Sequence, residues 1–270
     1  MGAGYIGDRA YRAFVQHSDL ICVMRAITAG ELLNVWEDGR SSTSIRRALL
    51  LLAVKFPGAS RDTLAALSIG RRNAELLQLR EALWGSRMAA IAACPSCRER
   101  LDLAVDVQDL LSLAAAGESS IADEICLTHG DCRVAFRIPT TEDVLAAEGA
   151  EDIDAARSVI LERCLLSAEQ AGAAVSTQQL PAEIVSGIAE SMAQADPLAD
   201  IQLKIDCPSC QNRWRAAFDI VSFLWVEIEA WAGRILSEVH TLARAYGWRE
   251  AEILALSAMR REFYLEMVGT

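Results

Sequence analysis

Cys94-Pro95-Ser96-Cys97 and Cys207-Pro208-Ser209-Cys210 are one four-residue word written twice, far apart in the chain. Two Cys-x-x-Cys pairs supply four thiolates, the number that closes the shell of a tetrahedral zinc ion. The two-residue gap lets both sulfurs of a pair turn toward one ion. The spacing therefore predicts two knuckles meeting on a structural Zn2+ held by Cys94, Cys97, Cys207 and Cys210, with the intervening chain looped out. A closed four-sulfur shell leaves no free position for chemistry, so the motif predicts architecture and not catalysis.

The cysteines admit two rival readings. Eight cysteines would allow disulfides. Met1 opens without a basic n-region, a long apolar h-region or a small-residue cleavage site, so the expected compartment is a reducing one. A redox dithiol of the thioredoxin or glutaredoxin type opens a helix with its Cys-Pro-x-Cys. Here Leu101, Leu103, Val105 and Val107 alternate with Asp102, Ala104 and Asp106. Trp214, Ala216 and Phe218 likewise alternate with Arg213, Arg215 and Ala217. Each knuckle thus leads into a strand with one buried face, the grammar of a zinc ribbon. A redox or regulatory module with thiol-active loops stands as the alternative.

The remaining cysteines carry less chemistry. Cys22 and Cys164 sit among apolar helical residues and read as small core residues. Cys126 and Cys132 flank the turn Thr128-His129-Gly130-Asp131, between the expected strands Glu124–Thr128 and Cys132–Ile138. A hairpin with inward cysteines and a surface histidine is the simpler reading. A second metal on Cys126, His129 and Cys132 is the other.

The net charge of -11 argues against a nucleic-acid partner, because phosphate contacts draw their affinity from Lys and Arg. Residues 91–140 set Arg98, Arg100, Arg133 and Arg137 against eight acids, and 199–220 carry three charges of each sign. The pairs Arg46-Arg47, Arg71-Arg72 and Arg260-Arg261 fall on helical stretches and read as solvated faces. No membrane segment is expected. The apolar run Ala48–Phe56 contains Lys55 and is about half as long as a bilayer crossing requires.

Helical spacing dominates the rest. Tyr11, Phe14 and Val15 suggest a first helix; Ile27–Trp36, Ile45–Phe56, a helix opening at Arg61-Asp62-Thr63 toward Leu67, and Asn73–Trp84 follow. Asp143–Glu148, Asp152–Ala168 and Pro181–Ala195 read as helices of an alanine-rich insertion. Val221, Leu224, Trp225, Ile228, Trp231, Ile235, Val239, Leu242 and Tyr246 recur at steps of three and four, laying one stripe along about seven turns. Gly247 suits a left-handed cap, and Ser257 an N-cap for Ala258–Val268. The expected class is α+β, mainly α, with a small β zinc-ribbon module. Its expected parts are a helical region 1–90, a β module 91–140 plus 199–220, a helical insertion 141–198 and a C-terminal helical hairpin 221–270. Trp225, Trp231 and Tyr246 on one stripe exceed what a lone helix can shelter. Most of this stripe is expected to be core against the ribbon and the N-terminal helices, and part a docking face. Trp225, Trp231, Tyr246 and Trp248 are the expected partner-binding positions.

Several motifs fail on context. Gly2-Ala3-Gly4-Tyr5-Ile6-Gly7 has the letters of a dinucleotide fingerprint but no strand before it. No His-x-Glu stands beside a Pro-Cys-x-x-Cys, and no zincin helix, nucleophile elbow or P-loop occurs. Glu142-Asp143 and Glu151-Asp152 are acidic pairs at helix starts, where the helix dipole favours them. No catalytic constellation is found, so a non-enzymatic role is expected.

Glu238-Val239-His240, Tyr246-Gly247-Trp248-Arg249-Glu250, Ile253-Leu254-Ala255-Leu256, Arg260-Arg261 and Tyr264-Leu265 form a closing stretch that resembles the T4-type baseplate hub assembly proteins of phages. It is similar also to baseplate proteins of phage-like contractile injection systems. Leu67-Ser68-Ile69-Gly70-Arg71-Arg72-Asn73, Leu76–Glu81, Leu83-Trp84-Gly85 and Arg137-Ile138-Pro139-Thr140 share the resemblance. It implies a structural or assembly role beside hub or wedge proteins of a contractile tail. The implied places are the bacterial cytoplasm during assembly, or the finished virion or injection particle. The zinc knuckles and the insertion are not part of the resemblance.

Overall fold

The computed structural model describes residues 26–115 and 124–269. The helix expected around Tyr11, the glycines of 2–7 and Cys22 lie outside the described residues. The chain forms two compact units, Met1–Thr63 with Val221–Thr270, and Leu64–Ile220.

Local signals set most element ends. Helix α1 (Ala29–Gly39) opens on a reciprocal cap: Thr28 Oγ1 accepts from Glu31 N at 3.2 Å, and Glu31 Oε2 accepts from Thr28 N at 2.9 Å. Helix α2 (Ser44–Lys55) stops before Pro57, and α3 (Arg61–Ala65) is a single turn. Helix α4 (Ile69–Trp84) is capped by Ser68 and ends at Gly85. It is followed by β1 (Arg87–Ala93), β2 (Arg100–Asp106) and α5 (Val107–Ala115). Next come β3 (Ile125–His129), β4 (Cys132–Phe136), α6 (Thr141–Ala146), α7 (Ile153–Cys164), β5 (Leu165–Gln170) and β6 (Ala173–Ala174). Helix α8 (Ala182–Ala195), β7 (Gln202–Asp206) and β8 (Arg213–Ala217) lead to the 27-residue α9 (Ile220–Tyr246). The short α10 (Glu250–Leu254) and α11 (Ala258–Val268) close the chain, with Ser257 capping α11 as expected.

In the first unit, α9 buries Val221, Leu224, Trp225, Ile228, Ala232, Ile235, Val239 and Leu242. The stripe read from the sequence is that face, except that Trp231 is half-buried and Tyr246 exposed at its margins. Leu33, Ala232 and Ile235 form one apolar cluster, and Val239, Leu242 and Ile253 another. Each fully buried aliphatic side chain contributes roughly 1.5–3 kcal/mol. Gly247 takes φ 68°, a conformation nearly free of cost only for glycine, and breaks the long helix there.

In the second unit, three antiparallel sheets occur among the described residues: β1–β2, β3–β4–β5–β6 and β7–β8. The structure is mainly helical with small antiparallel sheets. Helix α8 lays Ile184 and Ile188 on the four-stranded sheet, against Cys132, Val134, Phe136 and Ala168.

The expected helix Asp152–Ala168 is corrected. The helix ends at Cys164, and the chain passes directly into β5. Helix-favouring Ala168, Glu169 and Gln170 lose to tertiary pairing, because β5 completes the open edge of β4 from Cys132↔Gln170 to Phe136↔Leu165. The insertion is therefore not wholly helical. Two of the arginine pairs are corrected as well. Arg72 is 6% exposed and Arg261 7%, so neither pair is a fully solvated face. Arg261 Nε donates to Glu238 Oε2 at 2.9 Å and Nη1 to the Leu256 carbonyl.

Candidate metal centre

The two Cys-Pro-Ser-Cys loops are the tips of the β1–β2 and β7–β8 hairpins, and they fold alike bond for bond. Cys94 N donates to the Glu99 carbonyl and Arg98 N to the Cys94 carbonyl, both at 2.9 Å. Cys207 N donates to the Asn212 carbonyl and Gln211 N to the Cys207 carbonyl, again at 2.9 Å. The residue after each second cysteine adopts a left-handed backbone, Arg98 at φ 63° and Gln211 at φ 59°. Neither loop starts a helix, as a redox Cys-x-x-Cys would; each returns into a strand.

The tips bring the four sulfurs together. All four Sγ atoms lie within 4.8 Å of one another, with Cys94–Cys210 and Cys97–Cys207 at 3.6 Å. A disulfide would need about 2.05 Å. Tetrahedral ligation with metal–sulfur bonds of about 2.3 Å sets sulfurs roughly 3.8 Å apart, and the Cys94–Cys210 and Cys97–Cys207 separations of 3.6 Å lie near that value. Each loop contributes one buried thiol, Cys94 or Cys207, and one exposed thiol, Cys97 or Cys210.

The thiols also perturb one another. Burial opposes ionisation of Cys94, but N–H groups of Cys97 and Ser96 and the thiols of Cys210 and Cys97 pull it down to about 6. At Cys97 the Glu99 N–H favours the thiolate. Hydrogen bonding with Cys210, burial, and bonds with Cys207 and Cys94 outweigh it, and the group is pushed up to about 12. Ionisation is thus favoured at Cys94 and opposed at Cys97 within one loop. The four cysteines can hold a metal ion.

No other cluster of metal-ligating groups occurs among the described residues. The Cys126–Cys132 hairpin forms as expected, with His129 opposite Cys132. Cys132 faces the core at 2% exposure, whereas Cys126 is exposed on the other side. The expectation that both point inward is therefore corrected.

A second constellation was not anticipated. Ser68 bridges Thr140, Thr141 N donates to the Leu67 carbonyl, and Ile69 N to that of Pro139. Gly70 N donates to Asp196 Oδ2 at 2.8 Å, and Asn73 Nδ2 to the Leu198 carbonyl at 2.8 Å. Nearby, fully buried Asp143 accepts from Arg137 at 2.6 and 2.9 Å, from Arg163 Nε at 2.8 Å and from Thr140 N at 2.9 Å. Burial alone would raise the Asp143 carboxyl. Arg137, Thr140 and Arg163 together hold it well below the usual range. Asp196 goes the other way, because burial outweighs Gly70, Ser68 and Arg72. The sequence read Asp143 only as an acid facing a helix dipole. The signal that could have found it is Thr140 three residues before Asp143, a reciprocal cap beside Arg137.

A Cβ on Gly70 would lie 1.7 Å from Asp196 Oδ1. Gly70→Ala is expected to expel this carboxylate, break its bond to the helix start and cost about 2 kcal/mol in urea unfolding. A loss below about 1 kcal/mol would mean that the contact yields freely.

The four aromatic positions differ. Trp225 is buried, its ring in the space a Cβ on Gly39 would fill and 4.3 Å beneath the Arg47 guanidinium. Trp231 packs beside Leu33 and Ile235. Tyr246 and Trp248 stack at 4.7 Å, and Tyr264 meets both edge-on.

Comparison with known families supplies the assignment. A family model described as T4 bacteriophage base plate protein matches residues 51–225. The chain belongs to that family. The matched region holds both cysteine loops and the Leu67–Asn73 and Arg137–Thr140 segments that meet at the buried polar cluster. The closing stretch 238–265 lies beyond it. No curated protein matches the chain, and no solved structure matches it. Among the described residues no helix is long and apolar enough to cross a membrane.

Proposed function

We propose that this baseplate-family chain is a non-enzymatic assembly or structural part of a contractile tail, braced internally by one zinc ion. The observation that carries it is the convergence of the two Cys-Pro-Ser-Cys tips, within a chain of this family, on four sulfurs that all lie within 4.8 Å of one another. Zinc suits a four-thiolate shell and adds no redox chemistry, so it would pin the hairpins without reacting. Hub or wedge proteins are the proposed partners. Tyr246 and Trp248 carry the contact, with Trp225 and Trp231 supporting it from the core. Trp248 lines an open hollow of about 320 Å3 together with Glu252, Leu256, Arg260 and Tyr264.

Elemental analysis of protein purified without chelator is expected to find about one zinc per chain. Iron instead of zinc, or no metal, would overturn the brace. Trp248→Ala is expected to cut recovery of baseplate components from host extract by about tenfold, with the far-UV spectrum unchanged. Undiminished recovery would remove this face from the proposal.

A further inference from the structure

The β7–β8 hairpin carries a charge arrangement that folding does not explain. In its register Lys204 stands directly opposite Arg215, and Asp206 opposite Arg213. Strand alternation puts Lys204, Asp206, Arg213 and Arg215 on one face, all exposed, while Leu203, Ile205, Trp214 and Ala216 take the other. Among the described residues the single ion pair on that face is Arg213–Asp206 at 3.3 Å, between side chains 84% and 73% exposed. Lys204 and Arg215 make no ion pair among the described residues. Directly opposed like charges destabilise a sheet, and a two-stranded sheet has little stability to spare. The face is net positive in a chain of net charge -11. An open hollow of about 660 Å3 runs along the same residues.

We propose that this face docks an acidic, extended segment of a partner protein. Arg213 and Arg215 are two residues apart on one strand, so their guanidinium groups repeat at roughly 7 Å. Carboxylates at alternate positions of an extended peptide repeat at the same interval, and each guanidinium can take one in forked geometry. Neither strand has a second neighbour in its sheet, so a peptide lying alongside would find unpaired backbone groups as well. Nucleic acid fits less well. Strong phosphate binding draws on about 6–10 cationic contacts, whereas this face offers three cations and one carboxylate within an acidic molecule.

The test uses the metal-loaded full chain and a synthetic peptide with glutamate at alternate positions, followed by fluorescence anisotropy in low salt. The peptide is expected to bind, and a glutamine version is not. Lys204→Glu and Arg215→Glu should each weaken binding by about tenfold, and raising salt to about 0.3 M should weaken it similarly. Lys204→Glu should at the same time raise the thermal midpoint by about 1–3 °C, because it removes the like-charge pair. Stability gained while binding is lost is a signature that a merely structural role would not give. The proposal is overturned if the peptide does not bind or if both variants bind it like the parent. It is equally overturned if a single-stranded oligonucleotide of equal charge binds more tightly.

Discussion

Stripping the metal with a chelator, or replacing Cys207 with serine, is expected to release both hairpin tips together. The urea midpoint of the 64–220 unit should then fall more than for any other single change proposed. The β1–β2 and β7–β8 sheets have two strands each, too few for independent stability in water. The ion would also close a loop of over 100 residues, and a crosslink on that scale is worth about 4–5 kcal/mol. Structural four-ligand zinc sites bind with apparent free energies of about 10–16 kcal/mol, which a chelator reverses. A loss of at least about 4 kcal/mol is therefore expected, recovered on adding zinc to the parent but not to Cys207→Ser. Unchanged midpoints after verified metal removal would show that packing alone holds the tips. The expected reactivity agrees: all four thiols alkylate slowly until the chelator is added.

Asp143→Ala should come second. It leaves Arg137 and Arg163 facing a hole where a fully buried carboxylate stood, and it strips the Thr140 N–H of its acceptor. Removing one member of a buried charge cluster costs about 3–5 kcal/mol. The arginine side chains are 31% and 37% exposed, so water offsets part of the loss and the lower end is expected. The pH dependence has a definite sign. The folded Asp143 carboxyl lies below its unfolded value near ~3.9, so its contribution is complete at neutral pH and lost as pH falls below about 4. Unfolding in urea at neutral and acid pH checks both points. The gap between parent and variant should narrow in acid; a constant gap would assign the effect to packing.

What the sequence revealed followed from the range of the interaction involved. Cys94, Cys97, Cys207 and Cys210 were legible because their chemistry needs only the right letters at the right spacing. Helix α9 was legible because its stripe repeats for 27 residues. Strand β5 was not, since Leu165–Gln170 has no preference strong enough to announce itself and takes its form from the edge of β4. Arg72 and Arg261 were misread because the groups that allow their burial lie elsewhere in the chain: Asp196 and Asp219 near Arg72, Glu238 beside Arg261. A carboxylate that distant leaves no trace in a window of neighbours. The buried polar cluster is illegible for the same reason: Leu67–Asn73 and Arg137–Thr140 are distant in sequence and meet only in the fold.

The twin tips also set an order of events on the ribosome. Cys94 and Cys97 emerge first and must wait while more than a hundred further residues are made, about ten seconds at ordinary elongation rates. During that interval the first loop holds two of the four sulfurs with no counterpart yet made. The site is finished only when Cys210 has left the exit tunnel, so its closure dates the completion of the unit.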